Sequence, residues 1–440
     1  MGTRMNHVEL SKIAAYVEDR ISSDAVSLES FVTTDSLLQN KAGREQAQKL
    51  PPNKVTLTKY KAGDVLVANI RPYLRKIWQA DCAGGCSADV LAFRARPHHS
   101  PDFLYSVLLQ DAFFDHAMAG KKGAKMPRGD KNQIMRYLVP DISGDEELRI
   151  GHLIASISQK IDLNHRLNDN LEAMAQALYD YWFVQFDFPD ENGMPYKSSG
   201  GKMVWNEVLK REIPEGWTNS TVQDYIKIGN GKDHKSVGSG EIPCYGSGGF
   251  MFGVAKAIYT GESVLLPRKG SLNNVMLVDG SFWTVDTMFY SEPKMKGAAK
   301  YVYYGIQVYD LASMNLGTGV PSMTSTRLYS LKLVGAPYTI LAKFDVVVSP
   351  LLSKARRLLA ENKVLAAQRD FLLPLLMNGQ VQVKPLNYRL FMWLAKYICD
   401  SFLAFQSLPS KIFVVECVHS SVNNFVRKVA NKIIDTEERY

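Results

Sequence analysis

Cations set beside glycines are the first chemistry the sequence offers. The stretch Lys121-Lys122-Gly123-Ala124-Lys125-Met126-Pro127-Arg128-Gly129-Asp130-Lys131 holds five cations against one acid. Further upstream, Arg71, Arg75 and Lys76 interleave with Tyr73 and Trp78. A second group comes later, in Gly231-Lys232-Asp233-His234-Lys235 and in Pro267-Arg268-Lys269-Gly270-Ser271-Leu272-Asn273-Asn274. Ammonium and guanidinium groups on a glycine-flanked backbone suit phosphates, because the main chain can come close. Arg suits guanine and Asn suits adenine where the geometry allows. For any one of these cations a solvated surface residue is the better reading, and His234 alone would mean little. Their recurrence in two places points to DNA, and all of them, with His234, Asn273 and Asn274, are candidate DNA contacts.

The whole-chain charge is too dilute to make that case. With 52 Lys and Arg against 44 Asp and Glu, the 440 residues carry only +8. The composition, 46% hydrophobic and 22% charged, excludes a collagen, a mucin stalk or a wholly disordered chain and allows sizeable cores without disulfides. The five cysteines, Cys82, Cys86, Cys244, Cys399 and Cys417, are too scattered for a zinc site and fit reduced thiols. No apolar run reaches the ~18–20 residues of a membrane span, and the N-terminus has no signal-peptide core. A cytoplasmic chain is expected.

Catalytic motifs are missing, and no catalytic or metal-ligating residue is expected in this chain. Gly201-Lys202 is followed by Met203, so it cannot form a phosphate loop with a Mg²⁺-binding hydroxyl. Pro189-Asp190 has no acidic-x-Lys partner for a nuclease site. There is no Asn/Asp-Pro-Pro-aromatic stretch for amino-group methylation and no Gly-x-Gly-x-x-Gly turn. No Ser-His-Asp set announces itself by spacing.

The elements that must position the cations occur twice. Shifted by 194 positions, Lys160 falls on Lys354, Asn168 on Asn362, Leu171 on Leu365 and Leu178 on Leu372. At the same shift Gly123-x-x-Met126-Pro127 falls on Gly317-x-x-Val320-Pro321. Short apolar runs, Val65-Leu66-Val67-Ala68 and Val264-Leu265-Leu266, predict strands, and Gly246-Ser247-Gly248-Gly249 predicts a turn. A Gly/Ser/Pro-rich linker around 189–203 precedes Ile213-Pro214-Glu215-Gly216-Trp217, where the second module begins.

Each module is followed by a long helix with apolar residues at three- and four-residue steps. These are Ile150, Ile154, Ile157, Ile161, Leu171, Met174, Leu178 and Tyr181 in the first, and Leu351, Ala355, Leu358, Leu365 and Leu372 in the second. The pattern is that of a coiled-coil seam. Ile157, Ile161, Asn168, Leu171 and Leu178 are expected to pair or dock with partners, as are Leu358, Asn362, Leu365 and Leu372. Asn168 and Asn362 are either buried register-setters or solvated. The connectivity favours antiparallel helices, and about 36 residues at ~1.5 Å each make a rod of roughly 54 Å.

The chain resembles the specificity subunit of bacterial type I restriction-modification systems over about residues 7–385. The resemblance is carried by Leu171-Glu172-Ala173-Met174-Ala175-Gln176-Ala177-Leu178 leading into Tyr181-Trp182-Phe183, and by Ile213–Trp217. Further parts are Arg369-Asp370 with Leu372-Leu373-Pro374 and Leu376-Met377-Asn378-Gly379, and in the second module Gly231–Lys235, Tyr245–Gly249, Gly261–Gly270 and Phe282–Met288. It implies an α+β fold with two tandem mixed α/β DNA target recognition domains, separated by two long antiparallel coiled-coil helices with pseudo-two-fold symmetry. The expected divisions are a first recognition domain at 1–144, a first helix at 145–184, a linker at 185–210, a second recognition domain at 211–338 and a second helix at 339–379.

The resemblance also implies a function. Each domain would read half of a split double-stranded DNA target, and the helices would space the domains and dock two methyltransferase subunits. S-adenosylmethionine, ATP and Mg²⁺ would belong to partner chains, the methyltransferase and the motor-nuclease subunits. A coiled-coil adaptor that grips only proteins is the alternative; it accounts for the helices but not for the paired basic loops. Family members usually end soon after Asn378-Gly379-Gln380-Val381, whereas this sequence runs on through 387–440, a fused or frame-shifted extension or a small helical appendage.

Overall fold

The computed structural model describes residues 6–384 apart from 122, 124, 125, 236, 316 and 318; the extension 387–440 lies outside the described residues. Two compact units divide the chain. One comprises the residues up to Leu153 with the chain from Pro374, and the other Ile154–Leu373.

In the first unit, Val65–Ala68 is buried at all four positions, as an apolar run covered on both faces should be. It lies inside a four-stranded antiparallel sheet ordered Ala14–Tyr16, Val90–Ala95, Val65–Ala68, Ile77–Gln79. A second sheet is ordered Arg20–Ser22, Thr56–Tyr60, Gly84–Cys86, Phe31–Val32, its last pair parallel. The helices Pro101–Leu108 and Asp111–Ala119 bring Phe103, Phe113 and Phe114 into the core.

The second unit repeats the first sheet strand for strand and the second sheet except for its outer strand, which adds at the opposite edge. One sheet is ordered Ile226–Asn230, Met288–Pro293, Ser263–Pro267, Met276–Val278, all antiparallel. The other is ordered Gly249–Val254, Ser239–Gly246, Ser281–Thr284, Tyr259–Thr260, with one parallel pair. The Gly246–Gly249 turn closes its hairpin. Individual hydrogen bonds repeat as well. Arg71 N donates to Pro127 O at 2.8 Å and Gly270 N to Pro321 O at 2.9 Å, while Gly129 N bonds Asn69 O as Met323 N bonds Arg268 O. Asp130 and Thr324, also 194 apart, cap the short helices Lys131–Met135 and Ser325–Tyr329.

The long helices span Gly144–Tyr179 and Tyr338–Met377. Within the second unit they run antiparallel. Lys160 meets Glu361 at 3.7 Å, Asn164 Nδ2 donates to Asn362 Oδ1 at 2.8 Å, and Tyr179 meets Phe344 edge to face at 6.2 Å between ring centres. The seam has a seven-residue step, through Ile154, Ile161, Asn168 and Ala175 in one helix and Leu341, Val348, Ala355, Asn362 and Arg369 in the other, all buried. Leu358 is buried beside it, and Ile157, Leu171, Leu178, Leu365 and Leu372 are half-buried at its flanks.

Two expected seam residues are corrected: Met174 and Tyr181 are 52% and 37% exposed. Each immediately precedes a seam residue, Ala175 or Trp182, and one residue turns a helix by about 100°. In the second helix Leu352 and Leu373 are buried where Leu351 and Leu372 were expected.

Both seam asparagines are buried, but they differ in what they hold. Asn362 donates to Ile161 O across the pair while accepting from Asn164; Asn168 donates to Glu172 in its own helix. Asn164 also donates to Glu361, and its Oδ1 has no hydrogen-bond partner among the described residues. A buried amide left unpaired costs more than a made bond returns. Asn362→Leu is therefore expected to lower stability by about 1–3 kcal/mol, with Asn164→Leu added to it recovering most of the loss. Urea unfolding of the full chain measures both, and an undiminished loss in the double variant would exclude the asparagine pair as the cause.

A buried cation ties the second module to its helix. Lys300, 4% exposed at its side chain, bonds Glu262 at 2.5 Å and Asp345 at 2.6 Å. Burial alone would raise the Asp345 carboxyl, but the Lys300 hydrogen bond and charge outweigh it and hold the pKa below its ordinary value. That stability is present above the unfolded carboxylate pKa and is lost as pH falls through the folded one. Lys300→Met strands two acids and is expected to cost about 3 kcal/mol near neutrality. Unfolding followed against pH should show the gap to the parent narrowing below about pH 4.

Candidate nucleic-acid interface

Three neighbouring strands of the second module, Ile226–Asn230, Met288–Pro293 and Ser263–Pro267, deliver their loops to one end of the sheet. The main chain locks those loops together. Gly231 N donates to Met288 O, Lys232 N to Thr284 O, and Arg268 N and Lys269 N both to Thr287 O. A Cβ on Gly231 would collide with the carbonyls of Val285 and Met288, so glycine is required where the basic loop leaves its strand. Trp283 Nε1 donates to Lys232 O at 2.9 Å.

The result is a groove of about 720 Å³, lined by His234, Lys235, the Gly246–Met251 hairpin, Asp286 and Thr287. Lys232, Lys235 and Lys269 are exposed around it. Phe250 and Met251, which sequence reasoning missed, are 63% and 49% exposed. His234 packs its ring 4.7 Å from Phe252. The second long helix adds a further cation, Lys363, whose ammonium lies 6.0 Å from the Phe250 ring. Cations here suit phosphates, Asp233 and Asp286 can accept from a cytosine amino group, and the apolar side chains suit a thymine methyl.

Two expected base readers make hydrogen bonds within the protein. Asn273 uses both ends of its amide inside the protein, donating to Asp310 at 3.0 Å and accepting from Ala312 N at 2.9 Å. That bond, with help from the Ser313 and Ala312 amides, holds the exposed Asp310 carboxyl below its ordinary pKa. Asn274 donates to Ser247 O at 2.9 Å, fastening the hairpin turn. Both hold loops in place. Arg268 is half-buried, its guanidinium 5.7 Å from the Phe289 ring.

In the first module, Arg71 and Arg75 flank the turn Pro72–Leu74 with left-handed backbones, φ 53° and 50°. Tyr73 projects from that turn, 52% exposed. Arg71 and Lys121 are exposed, and Arg128 pairs with Asp89 at 3.0 Å. Lys131 approaches the Tyr16 ring at 5.8 Å. Arg75 is bound to Asp111, which also takes the buried Lys41. Lys76 is half-buried and donates to the Thr34 carbonyl at 2.5 Å. Lys122 and Lys125 lie outside the described residues. Around the same strand ends the modules differ most. The first has no counterpart of the Gly246–Gly249 hairpin among its named strands; instead Asn40 N and Lys41 N bond the carbonyls of Leu74 and Arg75.

Among the described residues no three His, Cys, Asp or Glu side chains gather as a metal site. Cys86 and Cys244 are buried as thiols, and burial pushes the Cys86 pKa up to about 12. No described helix is long and apolar enough to cross a membrane.

No family model matches the chain. The type I restriction enzyme MjaIX specificity subunit of Methanocaldococcus jannaschii is 23% identical over 311 residues, 65% of this chain and 70% of the relative. The HindI specificity subunit of Haemophilus influenzae is 25% identical over 189 residues, 40% of each chain. Among solved structures, the type I restriction-modification S subunit of M. genitalium matches in fold with a TM-score of 0.56 at 15% identity, covering 86% of this chain and 97% of its own. In sequence and in fold, then, the chain resembles the specificity subunits of type I restriction-modification systems.

Proposed function

We propose that this protein is the DNA-specificity subunit of a type I restriction-modification complex. Each module reads one half of a split double-stranded target, and the chain itself performs no catalysis. The observation that carries the reading is the module built twice, with the same main-chain bonds setting cations at the same strand ends. A protein-only adaptor needs the paired helices but has no use for that repetition.

The long helices serve as the spacer and as docking surface for two methyltransferase subunits, with motor-nuclease subunits joining them. Outward-facing Leu163 and Met174 on one helix, and Val364 and Phe371 on the other, are 52% to 68% exposed, an apolar supply suited to such docking. S-adenosylmethionine, ATP and Mg²⁺ act in those partners, and the assembly works in the cytoplasm. The half-buried Ile157, Leu171, Leu178, Leu365 and Leu372 border both the seam and this outer surface.

Sequencing the host's methylated adenines with and without the gene tests the reading directly. Loss of one bipartite motif is expected; an unchanged methylome would reject it. In gel shifts with the methyltransferase complex, binding should fall steeply with salt, and Lys235→Ala or Lys269→Ala should each lower the salt slope by about one while leaving the motif intact. Four residues inserted into each long helix make a stutter that a seven-residue seam can absorb. Such an insertion is expected to change the preferred gap and keep the half-sites; changed half-sites at a fixed gap would exclude the helices as the ruler.

A further inference from the structure

Met126 and Val320 occupy one place in the repeat, directly before Pro127 and Pro321, whose carbonyls accept from Arg71 and Gly270. Both side chains are apolar and open to solvent, 51% and 62% exposed, where water is a poor neighbour for them. Described contacts hold the chain beside Val320. Asn315 Oδ1 accepts from Gly317 N and Ser322 N, each at 2.8 Å. A Cβ on Gly317 would collide with the Val320 carbonyl, and Pro127 is buried. Cations flank both positions: Arg71 and Arg128 in the first module, and in the second Lys269, bridged to Ser322. A partner that offers phosphates and stacked apolar faces within a few ångströms matches that surface, and duplex DNA offers both.

What two modules share cannot encode what differs between two half-sites. The hairpin bearing Phe250 and Met251 in one module and the segment at Asn40 and Lys41 in the other differ, and so are placed to read sequence. Met126 and Val320 are the same feature made twice. We infer that they are paired wedges, each pressing into a base step of its own half-site and partly unstacking it. The inference rests on the DNA-specificity reading above.

The test uses the complex of the full chain with its methyltransferase subunits, on its split target with 2-aminopurine placed singly along each half-site. Binding is expected to raise emission at one step per half-site. Met126→Ala should abolish only the first signal and Val320→Ala only the second, each with binding weakened about tenfold and the methylated motif unchanged. Met126→Leu and Val320→Ile should keep both signals, and the alanine variants should unfold at the parent's temperature because these side chains are exposed. Weakened binding where the parent shows no emission change would replace the wedge by a contact to the groove wall. Signals that survive both alanine variants, or a changed motif, would equally overturn it. A parent complex that binds no split duplex would sink the specificity reading, and the wedge with it.

Discussion

The main-chain bond from the loop that leaves a sheet strand to the carbonyl of a proline, Arg71 N to Pro127 O and Gly270 N to Pro321 O, is the constraint on which the candidate interface depends. It draws a basic loop from the middle of each module to a second loop about fifty residues on in sequence. In the first module it sets the loop of Arg71 and Arg75 against that of Lys121 and Arg128, and in the second the bonds of Lys232, Arg268 and Lys269 to Thr284 and Thr287 gather the cations at the same sheet end. Scattered, such surface charges would each be screened by salt and worth little. Proline suits the acceptor role because it has no N–H of its own to satisfy, and Gly270, at φ 85°, suits the donor role where the backbone must turn left-handed.

The helix pair follows a different economy of forces. A seam of Ile, Leu and Val alone would associate more strongly, yet this one carries Asn164, Asn168, Asn362 and Arg369 in buried positions. Polar seam residues give up stability for register. In the proposed spacer role such a pair has more need of register than of strength, because a slip of one heptad would shift every contact by about 10 Å.

Much of this was legible in the sequence. The strand Val65–Ala68, the Gly246–Gly249 turn, the antiparallel helices and the 194-residue repeat all follow from periodicity and spacing, which are local or self-comparing signals. The phase of the seam did not. Leu171, Met174 and Leu178 are the apolar residues of that stretch, yet the helix buries Ala175 and Tyr179, because hydrophobicity marks a face only to within a residue. Partnership was illegible for a deeper reason. Lys76, Asn273 and Lys300 look like free polar groups in one dimension, and their acceptors lie 42, 37, and 38 and 45 residues away. Only the fold decides which cations are already committed within the protein.

That sorting changes where specificity can reside. Lys76, Asn273 and Asn274 each bond within the protein, and Asp233 accepts from Lys235 N, whereas Asp286, Phe250 and Met251 are exposed. Lysine alone discriminates bases poorly, since a flexible ammonium is a point charge without a planar fork. If the second module reads DNA as proposed, its sequence reading leans on Asp286, which can accept from cytosine, and on Phe250 and Met251, which can meet a thymine methyl. In the first module Arg71 and Tyr73 stand at the corresponding edge on a turn held by the carbonyl contacts of Asn40 and Lys41. The two modules thus keep one set of main-chain bonds and vary the segment beside it, so that on the proposed function a target could change through a hairpin without disturbing those bonds.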